Sequence, residues 1–162
     1  MTASGPPIRL LPRVDEQNRF FWTGGEEGEL RFLACGDCDR YFHPPSPVCP
    51  YCLSRNVTPR AVSGKGTIHS FTINFHPWTG AGDPYVIVLV TIAEQDDVRL
   101  TSNLVDCDAE RVRIGMPVVV QFEHHDDVWL PLFRPDLEAE QDGLPSKDGS
   151  DDLPLRDRAG SR

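Results

Sequence analysis

Five cysteines stand in this 162-residue chain, and four of them fall into two pairs. Cys35-Gly36-Asp37-Cys38 is followed by ten residues and then by Cys49-Pro50-Tyr51-Cys52. A Cys-x-x-Cys pair sets two thiolates on one tight turn, and two such turns facing each other offer four ligands to one ion. The spacing predicts a zinc ribbon with Cys35, Cys38, Cys49 and Cys52 as ligands. Two disulfides or four free thiols are the plain alternatives. Both suit poorly a chain whose start, Met1-Thr2-Ala3-Ser4-Gly5-Pro6-Pro7, lacks the basic-then-apolar layout of a secretion leader. Iron in a rubredoxin-like shell is a further alternative, because thiolates suit both metals. His43 lies between the pairs and could replace one thiolate, but four sulfurs already fill a tetrahedron. A catalytic zinc keeps one position open for water or substrate. Four thiolates leave none, so one zinc per chain is expected to hold structure and perform no chemistry.

Outside the cysteine pairs, His69, His76, His124, His125 and Cys107 are the residues that could do chemistry. His124-His125-Asp126-Asp127 has the composition of a second metal site and, equally, of a polar hairpin tip. Cys107 is flanked by Asp106 and Asp108, the opposite of the electropositive setting that a nucleophilic thiol needs. No catalytic residue is assigned.

Composition narrows the function classes. The net charge of −9 opposes a phosphate-tracking surface, which relies on clustered Lys and Arg. Phe71, Phe75 and Trp78 could stack bases as in a nucleic-acid-binding barrel. The shared parity of Phe71 and Phe75 instead points them to a barrel core. No run of 18 apolar residues occurs, so no membrane span is predicted. A reducing cytoplasmic setting fits the thiolates and the unremarkable start. Fifteen prolines and thirteen glycines predict many turns and few long helices.

The elements that must position the ribbon read in order. Residues 1–29 form an N-terminal arm and short helices. The first helix is expected from Asp15, whose carboxylate can cap it, to Gly24 and Gly25, which stop it. Phe20, Phe21 and Trp22 are consecutive, so at about 100° per residue they cannot all face one core. One aromatic face therefore covers the ribbon while another looks for a second neighbour, such as a partner protein. A further helical turn is expected around Glu26, Glu27 and Glu29. Residues 30–57 form the ribbon, stiffened by Pro44, Pro45, Pro47 and Pro50. Residues 58–135 carry short strands separated by turn signals, which suggests a five-stranded barrel of the oligonucleotide/oligosaccharide-binding (OB) type. Within it, Thr67–His76 alternates, whereas Tyr85–Ala93 is nearly all apolar, as for a strand covered on both faces. Residues 136–162 are acidic and of low complexity, too polar to fold alone. The fold class is mainly β.

Several of these residues together resemble a known family. They are Phe20-Phe21-Trp22, the two cysteine pairs, Pro44-Pro45, Gly64-x-Gly66-Thr67, Asn103-Leu104 and Arg113-Ile114-Gly115-Met116-Pro117-Val118. The chain is similar, over roughly residues 10–135, to the acyl-CoA-associated zinc-ribbon and OB-fold proteins known as domain of unknown function thirty-five. The resemblance implies a helical arm, a rubredoxin-like ribbon and an OB barrel, with no catalytic residues. It implies an accessory subunit of a CoA-thioester enzyme: a thiolase, a thiolase-like aldolase, a hydroxymethylglutaryl-CoA synthase or a MaoC-like hydratase. Pairing with an aldolase in steroid side-chain degradation, as a hetero-tetramer, is the expectation. Arg60, Lys65 and Arg99 are the candidates to meet a CoA phosphate at the interface; each is also an ordinary surface charge.

Overall fold

A computed structural model describes residues 10–76 and 83–142. The arm before residue 10, the loop 77–82 with Trp78, and the acidic tail beyond residue 142 lie outside the described residues. The architecture is mainly β: a three-stranded ribbon sheet, then a closed five-stranded barrel, with short helices at either end.

The ribbon sheet is built on β1 (Leu30–Cys35), flanked by β2 (Tyr41–Phe42) and β3 (Val57–Val62) in the order β2-β1-β3. Leu30 and Phe32–Cys35 are all buried, as befits the central strand. β3 pairs with β1 along its whole length, from Leu30 opposite Val62 to Cys35 opposite Val57. The strand at the start of the expected barrel segment, β3, is thus hydrogen-bonded to β1 and not to a barrel strand. The reason is its register: both of its faces are exposed, and only β1 supplies a hydrogen-bonding edge for it.

The barrel runs β4 (Lys65–Asn74), β5 (Tyr85–Ile92), β6 (Arg99–Leu104), β7 (Pro117–His125) and β8 (Val128–Pro135), closed in the order β4-β5-β6-β8-β7. Closure depends on a parallel contact at Leu104 and Phe133, which removes the sheet edges. β5 buries only alternate residues, Val86, Val88, Val90 and Ile92. Its other face is half-buried, so the expectation of cover on both faces is corrected: a small barrel has one filled interior.

A bulge between Ile68 and Ser70 shifts the parity of β4. Beyond it, Phe71 and Ile73 pair with Val88 and Val86, which puts them on the inner face. Phe71 is nevertheless 37% exposed, and Phe75, past the strand end, is 64% exposed. The expectation that both fill the core is corrected; the strand outruns the packed interior.

The N-terminal helix is also shorter than expected. α1 spans Arg19–Thr23, preceded by a turn in which the Asp15 carboxylate accepts from Gln17 N (3.0 Å) and Asn18 N (3.1 Å). Gly24 and Gly25 do not stop it. They continue as a 3-10 turn, Gly24–Glu27, and the left-handed residue that ends the run is Gly28, at φ 74°. Gly25 is needed for close approach: a Cβ there would lie 2.5 Å from Trp129 Cβ and 2.6 Å from Phe122 Cδ1. At the other end, residues 136–142 are folded rather than featureless. α2 spans Leu137–Asp142, and the buried Asp136 accepts from Ala139 N (3.4 Å).

Candidate metal centre

The four sulfurs come together. Cys35, Cys38, Cys49 and Cys52 have their Sγ atoms all within 4.8 Å of one another, with Cys35–Cys52 at 3.5 Å and Cys38–Cys49 at 3.7 Å. A tetrahedron with metal–sulfur bonds of about 2.3 Å has sulfur–sulfur edges of about 3.8 Å, so the donor set fits one tetrahedral thiolate-bound ion. All five cysteines are free, so no disulfide competes.

Each knuckle is made by the same backbone pattern. Asp39 N donates to Cys35 O and Leu53 N to Cys49 O, both at 3.0 Å; Cys35 N donates to Arg40 O (3.0 Å) and Cys49 N to Ser54 O (2.8 Å). The residue after each pair turns left-handed, Asp39 at φ 55° and Leu53 at φ 62°. A cross-brace that sequence reasoning missed ties the knuckles together. Asp37 accepts from the Ser54 hydroxyl (2.6 Å) and from Asn56 Nδ2 (2.8 Å), and Gly36 N donates to Asn56 O (2.8 Å). Those two donors hold the Asp37 carboxyl below its ordinary range. No spacing rule marks Ser54 or Asn56; only the fold brings them to Asp37.

The thiols do not share ionisation equally. Backbone N–H groups of Cys38 and Asp37 aimed at Cys35 outweigh its burial and lower it to about 7. Cys52 gains an N–H from Ser54, but the Cys35 thiol and burial push it up to about 12. A divalent ion held at the centre would remove that difference, since all four thiols must lose their protons to bind it.

His43 is not among the converging donors. Its ring lies 5.0 Å from that of Phe21 and 5.3 Å from that of Phe32, and burial lowers its pKa, as for a neutral ring in an aromatic sandwich. Phe20, Phe21 and Trp22 are not buried alike: Phe21 lies inside this chain, while Phe20 and Trp22 keep part of their surface exposed. Phe21 is 3% exposed in the core shared by β1 and the barrel; Trp22 packs on that core, and Phe20 touches both it and the ribbon cluster.

The candidate phosphate-binding cations stand on three different strands, β3, β4 and β6. Arg60 pairs with Asp39 (2.6 Å) and lies 5.6 Å from the Tyr41 ring. Lys65 pairs with Asp136 (3.2 Å), and Arg99 stands exposed at the start of β6. Nor do the histidines gather: His124 stacks on Trp129 (4.3 Å), His125 meets Glu123 (2.5 Å), and His69 and His76 are exposed on and just after β4. Cys107 is partly buried against the barrel core. Among the described residues, the four cysteines are the one cluster able to hold a metal.

Comparison with known proteins decides the family. Residues 22–58 match the ChsH2 rubredoxin-like zinc ribbon domain, and residues 59–123 the ChsH2 C-terminal OB-fold domain. The chain belongs to the ChsH2/DUF35 family. A DUF35 domain-containing scaffold protein of Pyrococcus furiosus is 32% identical over 119 residues, covering 67% of this chain and 86% of that one. The 3-oxo-4,17-pregnadiene-20-carboxyl-CoA hydratase alpha subunit of Mycobacterium tuberculosis is 33% identical over 132 residues, covering 81% of this chain but only 42% of that subunit. The chain thus spans less than half the length of the curated hydratase subunits it matches. Among solved structures, a chain described as the Ltp2-ChsH2(DUF35) aldolase superposes with a TM-score of 0.69 at 34% identity, covering 77% of this chain and 98% of that one. Among the described residues, no helix is long and apolar enough to cross a membrane.

Proposed function

We propose that this DUF35 chain is a non-catalytic accessory subunit that docks on and stabilises a thiolase-like acyl-CoA aldolase, in steroid side-chain or related acyl-CoA degradation. The observation that carries this reading is the near-complete coverage, 98%, of the DUF35 chain of the aldolase structure. The metal site agrees with it. We assign one zinc to Cys35, Cys38, Cys49 and Cys52; bound there, it supplies cross-linking and has no position left for substrate. The chain's own residues shape the shell: Asp37 links the knuckles, and Pro45, Pro47 and Pro50 stiffen the connection between them. The intramolecular pairs of Arg60 and Lys65 count against their holding a CoA phosphate, and the burial of Phe21 counts against its being a partner anchor.

The hydratase names among the relatives favour a second reading, in which the partner is a MaoC-like hydratase. Co-expression with each kind of subunit, read by size exclusion with light scattering and metal analysis, separates them. A stoichiometric complex with the aldolase, two copies of each subunit, and one zinc per DUF35 chain are expected. A complex with the hydratase alone would replace the first reading by the second. Turnover of a CoA thioester by the isolated chain would end the accessory reading altogether.

A further inference from the structure

The turn between β5 and β6 reaches across to the ribbon. The Gln95 carboxamide grips both backbone groups of Tyr41: Tyr41 N donates to Oε1 (2.8 Å), and Nε2 donates to Tyr41 O (3.0 Å). Tyr41 sits on β2, an edge strand, so Gln95 takes the place that a next strand would occupy. The same Nε2 donates to Asp97 Oδ1 (2.6 Å). Asp97 Oδ2 in turn accepts from the Tyr51 hydroxyl (3.2 Å) and pairs with the Arg40 guanidinium, which lies 3.7 Å over the Tyr51 ring. Arg40 comes two residues after Cys38, and Tyr51 lies inside the second cysteine pair. Two residues of the barrel turn therefore hold one residue from each knuckle and the strand that leaves the first.

We propose that metal loading of the ribbon is transmitted to the barrel through this clamp, Arg40, Tyr41 and Tyr51 on one side and Gln95 and Asp97 on the other. The positions of Arg40 and Tyr51 relative to each other are set by the closeness of the two knuckles, and the four sulfurs are the centre of that closeness. With an ion holding them, the clamp's donors are in place before the turn arrives. Without it, the knuckle segments are joined by the exposed Asp37 brace, by Gly36 N to Asn56 O and by the Arg40 guanidinium over the Tyr51 ring, none of which fixes the four sulfurs themselves. The turn itself is fastened to the barrel by Ala93 N to Lys65 O (3.0 Å), Val98 N to Gln95 O (3.2 Å) and Ile92 N to Val98 O (3.2 Å). Loss of the clamp therefore loosens the last two of these bonds first, while β7 and β8 keep their own ladder. The Arg40–Asp97 ion pair is about half exposed, so its charge adds little, and the coupling runs through the hydrogen bonds of Gln95 to Tyr41 and of the Tyr51 hydroxyl to Asp97. Every member of the clamp belongs to this chain, whichever enzyme the chain joins.

Backbone hydrogen exchange on the full chain, zinc-loaded and after chelation, tests it. Chelation is expected to speed exchange at Ile92 and Val98 by about tenfold or more, with β7–β8 amides little changed. In the Gln95→Ala/Asp97→Ala double variant, the two amides should exchange fast even with zinc bound, and chelation should add little. Tyr51→Phe removes only the hydroxyl bond and should give an intermediate response, which serves if the double variant does not fold. Unchanged exchange at Ile92 and Val98 in the chelated wild type would overturn the proposal. So would an equal response to chelation in wild type and double variant, which would route the coupling through the shared Phe21–Phe32 core instead.

Discussion

Leu53 sits in the left-handed region at φ 62° with its side chain 77% exposed. A branched apolar residue gains nothing there, because the left-handed backbone crowds Cβ and no packing offsets it. Replacing Leu53 by Asn, which tolerates that conformation, should raise stability by roughly 0.5–1 kcal/mol, read as a higher denaturant midpoint for the zinc-loaded protein. Asp136 offers a second test. Burial alone would raise its carboxyl, but the Lys65 ammonium at 3.2 Å and the α2 N–H groups outweigh burial and hold it below the usual carboxylate range. A depressed acid stabilises the fold above its unfolded pKa of about 3.9, and that contribution is lost as pH falls through the folded value. The stability difference between wild type and Asp136→Asn should therefore shrink as pH drops below about 4; measuring both proteins across that range cancels acid effects elsewhere.

At the scale of elements, α1 and the turn after it are a wedge between ribbon and barrel. The wedge fits because Gly25 has no Cβ to meet Trp129 and Phe122. Gly25→Ala should cost about 1–3 kcal/mol by overpacking, and fluorescence should report a displaced Trp129. The sequence marks Gly24-Gly25 as a helix stop, since glycine usually serves that way; the structure uses Gly25 for closeness and Gly28 for the stop. Nothing in the local pattern separates these two uses, because both call for a missing side chain. The same limit applies to β3. Its residues announce a strand, but the choice between ribbon and barrel rests on which edge is free to pair, and that edge is built by distant residues.

At the scale of the whole molecule, one core joins the pieces: Phe21 of α1 and Leu30 and Phe32 of β1 cluster with Ile68, Val88 and Phe133 of the barrel. Phe21→Ala should therefore cost about 3–5 kcal/mol, and thermal unfolding followed by ellipticity and by zinc release should shift together. A shift in zinc release alone would mean that the ribbon stands apart from the barrel. The sequence by itself determined which four cysteines converge, the ribbon hairpin and the mainly β barrel, because cysteine spacing and strand alternation are local and repeat with short periods. It also required two neighbours for Phe20, Phe21 and Trp22, since three consecutive helical residues point three ways. Only the tertiary structure decided that Phe21 is the one of the three that is buried in this chain's core, that Asp37 braces the knuckles, and that Gln95 and Asp97 clamp the ribbon. Those contacts join residues far apart in sequence, and each is a polar or aromatic side chain whose partner is chosen by where the strands cross rather than by its neighbours along the chain.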